Sequence, residues 1–223
     1  AKRCLSYIQS QREKGKNVVG IYCTYGPLEV VRAAGAVPAV LCAFADKTIA
    51  AAEEDLPANL CPLIKSSYGF IKTDTCPFYS LADVVIGETT CDGKKKMFEL
   101  IAGIKPTHVM DLPQLPDQKE ALENWTEMVK KLKGFLETTL KTQISDEAVE
   151  AEIQHSNVKN KLLNTILDFA ALTPTPLTWQ EMYDLTYLGQ AASTADMMKV
   201  MEDALAKVQK RVADGVFHGQ PDS

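Results

Sequence analysis

From Lys2 to about Lys14, the apolar side chains of Leu5, Ile8 and the Tyr7 ring recur among polar positions at helical spacing, until Gly15 ends the pattern. A different pattern follows. In Val18-Val19-Gly20-Ile21-Tyr22-Cys23 the apolar positions are consecutive rather than alternating, as expected of a short strand covered on both faces in a parallel sheet. Pro27 then opens a helix that runs through Ala34, with Gly35 past its end. The unit recurs: a strand over Val37 to Ala43, an acidic helix over Thr48 to Leu56, a strand over Asp83 to Gly87, a helix over Asp92 to Ile104 and a closing strand over Thr107 to Leu112. Strands alternating with helices predict right-handed crossovers and a mostly parallel sheet whose ligands bind beyond the carboxyl ends of the strands. The loops after Cys23, Ala43 and Gly87 are therefore the ones to watch.

After Pro116 the pattern is helical throughout, with segments near Asp117 to Leu140, Asp146 to Leu172, Trp179 to Ala192 and Thr194 to Asp214. Thr173-Pro-Thr-Pro interrupts them, Thr178 with Glu181 forms a capping box, and Gly215 is the stop. The expected fold class is α/β, a Rossmann-like, mostly parallel sheet followed by a helical segment. Its domains are expected at 1–115, an α/β cluster-binding domain, and 116–223, a helical region.

Composition narrows the functional classes. The chain has 223 residues, 46% of them hydrophobic, which supports a sizeable core. Its net charge of −5, with basic residues scattered among acidic ones, argues against nucleic acid as a partner. No apolar run reaches the roughly 20 residues that span a bilayer, so no membrane association is expected and a cytoplasmic location is read. All six cysteines, Cys4, Cys23, Cys42, Cys61, Cys76 and Cys91, lie in the first 91 residues. Such clustering in a chain without a secretory signal favours metal or redox chemistry over disulfides, and the lack of a CxxC pair weakens structural zinc.

Cys61-Pro62 and Cys76-Pro77 place proline where the first helical residue belongs and cysteine at the N-cap. Cys91, before Asp92-Gly93, is placed alike, and unpaired amides at a helix start favour thiolate over thiol. Cys61 and Cys91 are thus candidate metal ligands expected to face one crevice. Cys4, Cys23 and Cys42 read as small buried hydrophobes, with Cys76 between the two groups. Lys65 and Lys95 each follow a candidate ligand by four residues, close enough to temper a thiolate's charge. Lys94, Lys95 and Lys96 otherwise read as a solvated basic face, with a docking patch as the rival reading. Tyr22, Tyr25 and Glu29 follow the first strand and are candidates to line a substrate pocket, Glu29 as a proton donor.

The stretches Tyr25-Gly-Pro-Leu-Glu29, Ala33-Ala-Gly-Ala-Val-Pro38, Cys61-Pro-Leu-Ile-Lys-Ser-Ser-Tyr-Gly69 and Thr89-Thr-Cys-Asp-Gly-Lys-Lys-Lys96 resemble the 2-hydroxyacyl-CoA dehydratase/benzoyl-CoA reductase family. Within it the strings around Cys61 and Cys91 look closest to the double-cubane cluster proteins, whose relatives are often labelled 2-hydroxyglutaryl-CoA dehydratase D-component proteins. The resemblance covers about residues 18 to 113 and looks like the amino-terminal half of such a subunit. It implies an iron–sulfur cluster, 4Fe-4S or double-cubane 8Fe-9S, held by Cys61, Cys91 and a third cysteine from a second α/β domain. It also implies a homodimer or related subunit, an ATP-hydrolysing activator that delivers low-potential electrons, and an acyl-CoA or small-molecule substrate. The expected activity is that of a dehydratase or reductase component, with this stretch alone inactive. A non-catalytic cluster-carrying module and a zinc-stabilised α/β domain are the alternatives.

Overall fold

The computed structural model describes residues 2–23, 25–191 and 194–218. In chain order the elements are α1 (Lys2–Glu13), β1 (Val18–Ile21), α2 (Leu28–Ala33), β2 (Val37–Val40), a 3-10 turn (Asp46–Thr48), α3 (Ile49–Ala52), α4 (Pro62–Lys72), α5 (Pro77–Leu81), β3 (Val84–Glu88), α6 (Asp92–Ala102) and β4 (Thr107–Met110). Helices α7 (Ala121–Leu140), α8 (Asp146–Asp168), α9 (Trp179–Ala191) and α10 (Thr194–Ala213) follow, with a second 3-10 turn at Phe169–Ala171. The four strands form one sheet in the order β2-β1-β3-β4 with every pair parallel, as the alternation of strand and helix requires.

Both faces of the sheet are covered, which explains the consecutive apolar residues of β1 and β3. On one face Tyr22, Leu41 and Val85 meet Ile64, Tyr68 and Ile71 of α4 and Met97, Phe98 and Ile101 of α6. On the other, Val19, Ile21, Val84, Ile86 and Met110 meet Val30 and Val31 of α2 and Leu132 and Leu136 of α7. Gly87 is needed for the first of these layers, because a Cβ there would run into the Phe98 ring.

Packing divides the chain into two compact units, Ala1–Val149 and Glu150–Ser223. Secondary structure changes character at Pro116, but α7 still belongs to the first unit. The six-residue α2 covers too little of the second sheet face by itself. In the second unit Ile166, Leu177, Leu185, Met197, Met201 and Val208 make the core. Its capping box forms as expected: the Glu181 N–H donates to Thr178 Oγ1 at 3.2 Å and the Thr178 N–H to Glu181 Oε2 at 3.0 Å.

Several boundaries depart from expectation. β1 stops at Ile21 rather than Cys23, since Cys23 adopts a left-handed backbone (φ 61°) that leaves the ladder. β2 stops at Val40, although the Leu41 N–H still bonds the Ile21 carbonyl at 3.0 Å. The helix expected over Thr48 to Leu56 is only α3 behind a 3-10 turn, because this segment is shaped by its contacts with α4.

Candidate functional site

β1, β2 and β3 end on the same edge of the sheet and release there Cys23, Cys42 and the run Glu88-Thr89-Thr90-Cys91. Sequence order reverses between β1 and β3, the position at which open α/β sheets bind ligands. Cys91 is the N-cap of α6 and Cys61 the N-cap of α4; both are exposed and neither side chain bonds its own helix. The starts of these two helices are packed together. A Cβ on Gly93 would lie 2.6 Å from Leu60 Cδ1 and 2.9 Å from Ile64 Cδ1, so α6 begins in close contact with the residues around Cys61. Two exposed cysteines therefore crown adjoining helix starts. Among the described residues no group of three or more His, Cys, Asp or Glu side chains is gathered to hold a metal.

The string Cys61 to Phe70 has a second task. Lys65, expected beside the thiol, is buried, and its ammonium bonds Glu53 Oε1 and the Ala58 carbonyl, both at 2.6 Å. Ser66 Oγ accepts the Ala45 N–H at 3.1 Å and donates to the Ala45 carbonyl at 2.6 Å, while Ser67 Oγ accepts the Ala43 N–H at 3.2 Å. Tyr68 donates to Asp55 at 2.8 Å, and Gly69 admits the Thr48 carbonyl where any Cβ would collide. Five successive residues of α4 thus fix the connection between β2 and α4.

The lysine triplet divides. Lys96 pairs with Glu99 at 3.0 Å and Lys95 with Asp92 at 3.1 Å, both on the surface, as a solvated face requires. Lys94 departs from that reading: it is buried, its ammonium contacts Cys23 Sγ, and it donates to Thr90 Oγ1 at 2.9 Å. Cys23, read from the sequence as a buried hydrophobe, is half-buried and polar in its surroundings. Hydrogen bonding from Cys42 holds its thiol down to about 5, with Lys94 and Thr90 adding to the effect against the opposing cost of burial. The same hydrogen bond, with burial, pushes the Cys42 thiol up. Cys4 is buried as expected.

The burial of Lys94 carried a signal in the sequence, whereas the meeting of Cys23 with Cys42 needed the strand pairing. Lys94 falls on the inward stripe of Met97, Phe98 and Ile101 at spacings of three, four and seven. β1 pairs with β2 at an offset of 19 (Val18 with Val37), and 42 minus 23 is also 19.

Of the candidate pocket residues, Tyr25 is exposed, and its N–H donates to both oxygens of the buried Glu88 carboxylate at 3.1 Å. Glu29 lies half-buried in the first turn of α2. Tyr22 is buried against Phe98, ring centroids 5.6 Å apart. No described helix is long and apolar enough to cross a membrane.

Comparison with known proteins finds named relatives by sequence. The chain is 42% identical over 180 residues to a protein named as dehydratase subunit YjiM of Escherichia coli (strain K12), covering 81% of this chain and 47% of that one. It is 29% identical over 162 residues to the lactoyl-CoA dehydratase subunit beta of Anaerotignum propionicum, covering 73% of this chain and 42% of that one. The chain thus spans a little under half the length of these curated relatives. The family model for the 2-hydroxyglutaryl-CoA dehydratase D-component matches residues 23–221, so the chain belongs to that family.

Proposed function

We propose that this chain is the cluster-binding part of a dehydratase or reductase component, with Cys61 and Cys91 as ligands of an iron–sulfur cluster and a further ligand from outside the described residues. The observation that carries this reading is the packing of the α4 and α6 starts through Gly93, each capped by an exposed cysteine. A bound cluster would supply low-potential electrons and an iron that polarises a substrate oxygen. The chain's own contribution is positional. First-turn amides of α4 and α6 are available as hydrogen-bond donors to a cluster's sulfurs, and Lys95 adds a positive charge one turn into α6. Tyr25 and Glu29, on the same edge of the sheet, line the approach for a small substrate or acyl-CoA, with Glu29 the proton donor. The relatives named as dehydratase subunits support assembly with a second subunit, and an ATP-hydrolysing activator is the electron donor this reading calls for.

Anaerobic reconstitution with iron and sulfide tests the assignment. Cys61→Ser and Cys91→Ser are each expected to lose most of the bound iron and the visible absorption while the far-UV circular dichroism is unchanged, because both side chains are exposed. Full iron retention in either variant would remove that cysteine from the site. Stoichiometric zinc in place of iron would favour a zinc-stabilised domain.

A further inference from the structure

Outside the cluster ligands, the edge of the sheet holds a second sulfur pair. Cys23 and Cys42 each lie two residues past the last paired positions, Ile21 and Val40, of neighbouring parallel strands. Adjacent strands lie about 4.8 Å apart, so the ends of β1 and β2 deliver both cysteines to the same stretch of the sheet edge. Each of the two sulfurs shifts the other's proton affinity, so they lie within interaction range. Cys23 is held in a left-handed backbone, a conformation disfavoured for a non-glycine residue and one that turns it out of the ladder. The Lys94 ammonium, brought in from α6 and steadied by Thr90, contacts the Cys23 sulfur. Both cysteines are half-buried rather than enclosed, and their sequence neighbours Phe44 and Tyr25 are exposed.

One sulfur stabilised as thiolate beside an ammonium, and a second kept as thiol against it, is the division of labour between an attacking and a resolving cysteine. We propose that Cys23 and Cys42 form a redox-active dithiol in which Cys23 attacks a low-molecular-weight disulfide and Cys42 resolves the adduct. The Cys23 thiolate attacks one sulfur of RS–SR, making a Cys23–S–S–R bond and releasing RS⁻. Cys42 gives up its proton, and its sulfur attacks Cys23, closing the Cys23–Cys42 bond and releasing the second R group as thiolate. Two protein sulfurs are oxidised, the small disulfide is reduced, and the proton leaves on one of the two released thiols. This inference is independent of the cluster assignment, since neither cysteine is one of its ligands.

The test uses the reduced chain and 2-hydroxyethyl disulfide, with acid quenching, alkylation and tryptic mapping. Cleavage after Arg32 separates the two cysteines into peptides 17–32 and 33–47. The expected product is those two peptides joined by a disulfide, with buried Cys4 unreacted as the internal gauge of an intact fold. Cys42→Ser should stop at a mixed disulfide on Cys23, and Cys23→Ser should slow modification of Cys42 at least tenfold. The proposal is overturned if the unaltered chain accumulates only the Cys23 adduct, if Cys23 links to another cysteine, or if Cys42 reacts at the same rate without Cys23.

Discussion

At Cys23 a single side chain reports on three elements, because its sulfur meets Cys42 beyond β2 and Lys94 of α6 from its own place beyond β1. Its lowered pKa fixes the sign of a pH response: the thiolate persists above about 5 and is lost only as pH falls through that value. Alkylation of Cys23 by iodoacetamide, followed by peptide mass spectrometry, should therefore be half-maximal near pH 5, against about 8.5 for an ordinary thiol. Lys94→Met is expected to move the midpoint upward and slow the reaction about tenfold at pH 6. An unchanged midpoint would show that the ammonium plays no part. Gly69 poses a steric question at the same scale. The obstacle to a Cβ there is the Thr48 backbone carbonyl, which cannot rotate aside, so Gly69→Ala should cost about 2 kcal/mol in chemical denaturation.

Between elements of the second unit, the capping box at the start of α9 also receives Arg211 from α10. Its guanidinium bonds Glu181 at 2.7 and 2.8 Å and the Pro176 carbonyl at 3.0 Å. Arg211, with help from Thr178, holds the Glu181 carboxyl down to about 2. A depressed carboxyl stabilises the fold fully above its unfolded value near 4.3, and that stabilisation is lost as pH falls through about 2. Glu181→Gln should flatten the acid-unfolding curve between those values when followed by circular dichroism; an unaltered slope would assign acid sensitivity elsewhere. The box itself was legible, because its two residues lie three apart. So were the strands, whose consecutive apolar residues demanded cover on both faces, and the cysteine-capped helix starts, where proline follows Cys61. Arg211 was not, since 30 positions separate it from Glu181. The lysine triplet misled in a physical way: three like charges in sequence suggested one surface, although a helix turns each residue by about 100° and carries Lys94 inward. Cys23 and Cys42 became neighbours only once β1 was known to pair with β2.

For the molecule as a whole, an intact sheet edge depends on more than the sheet. The starts of α4 and α6 are held together through Gly93, and α4 in turn holds the chain that leaves β2. The amides of Ala43 and Ala45 belong to no strand or helix, yet each donates to a serine hydroxyl of α4. Their exchange with solvent deuterium cannot proceed by local fraying, because releasing either amide means lifting the whole connection off a buried helix face. Both should thus show protection comparable to that of the α4 amides in a hydrogen-exchange experiment, and Ser66→Ala together with Ser67→Ala should return them to the rates of an open loop. The irregular stretch and the helix beneath it then open as one cooperative unit, and Cys42, one residue before Ala43, inherits that rigidity.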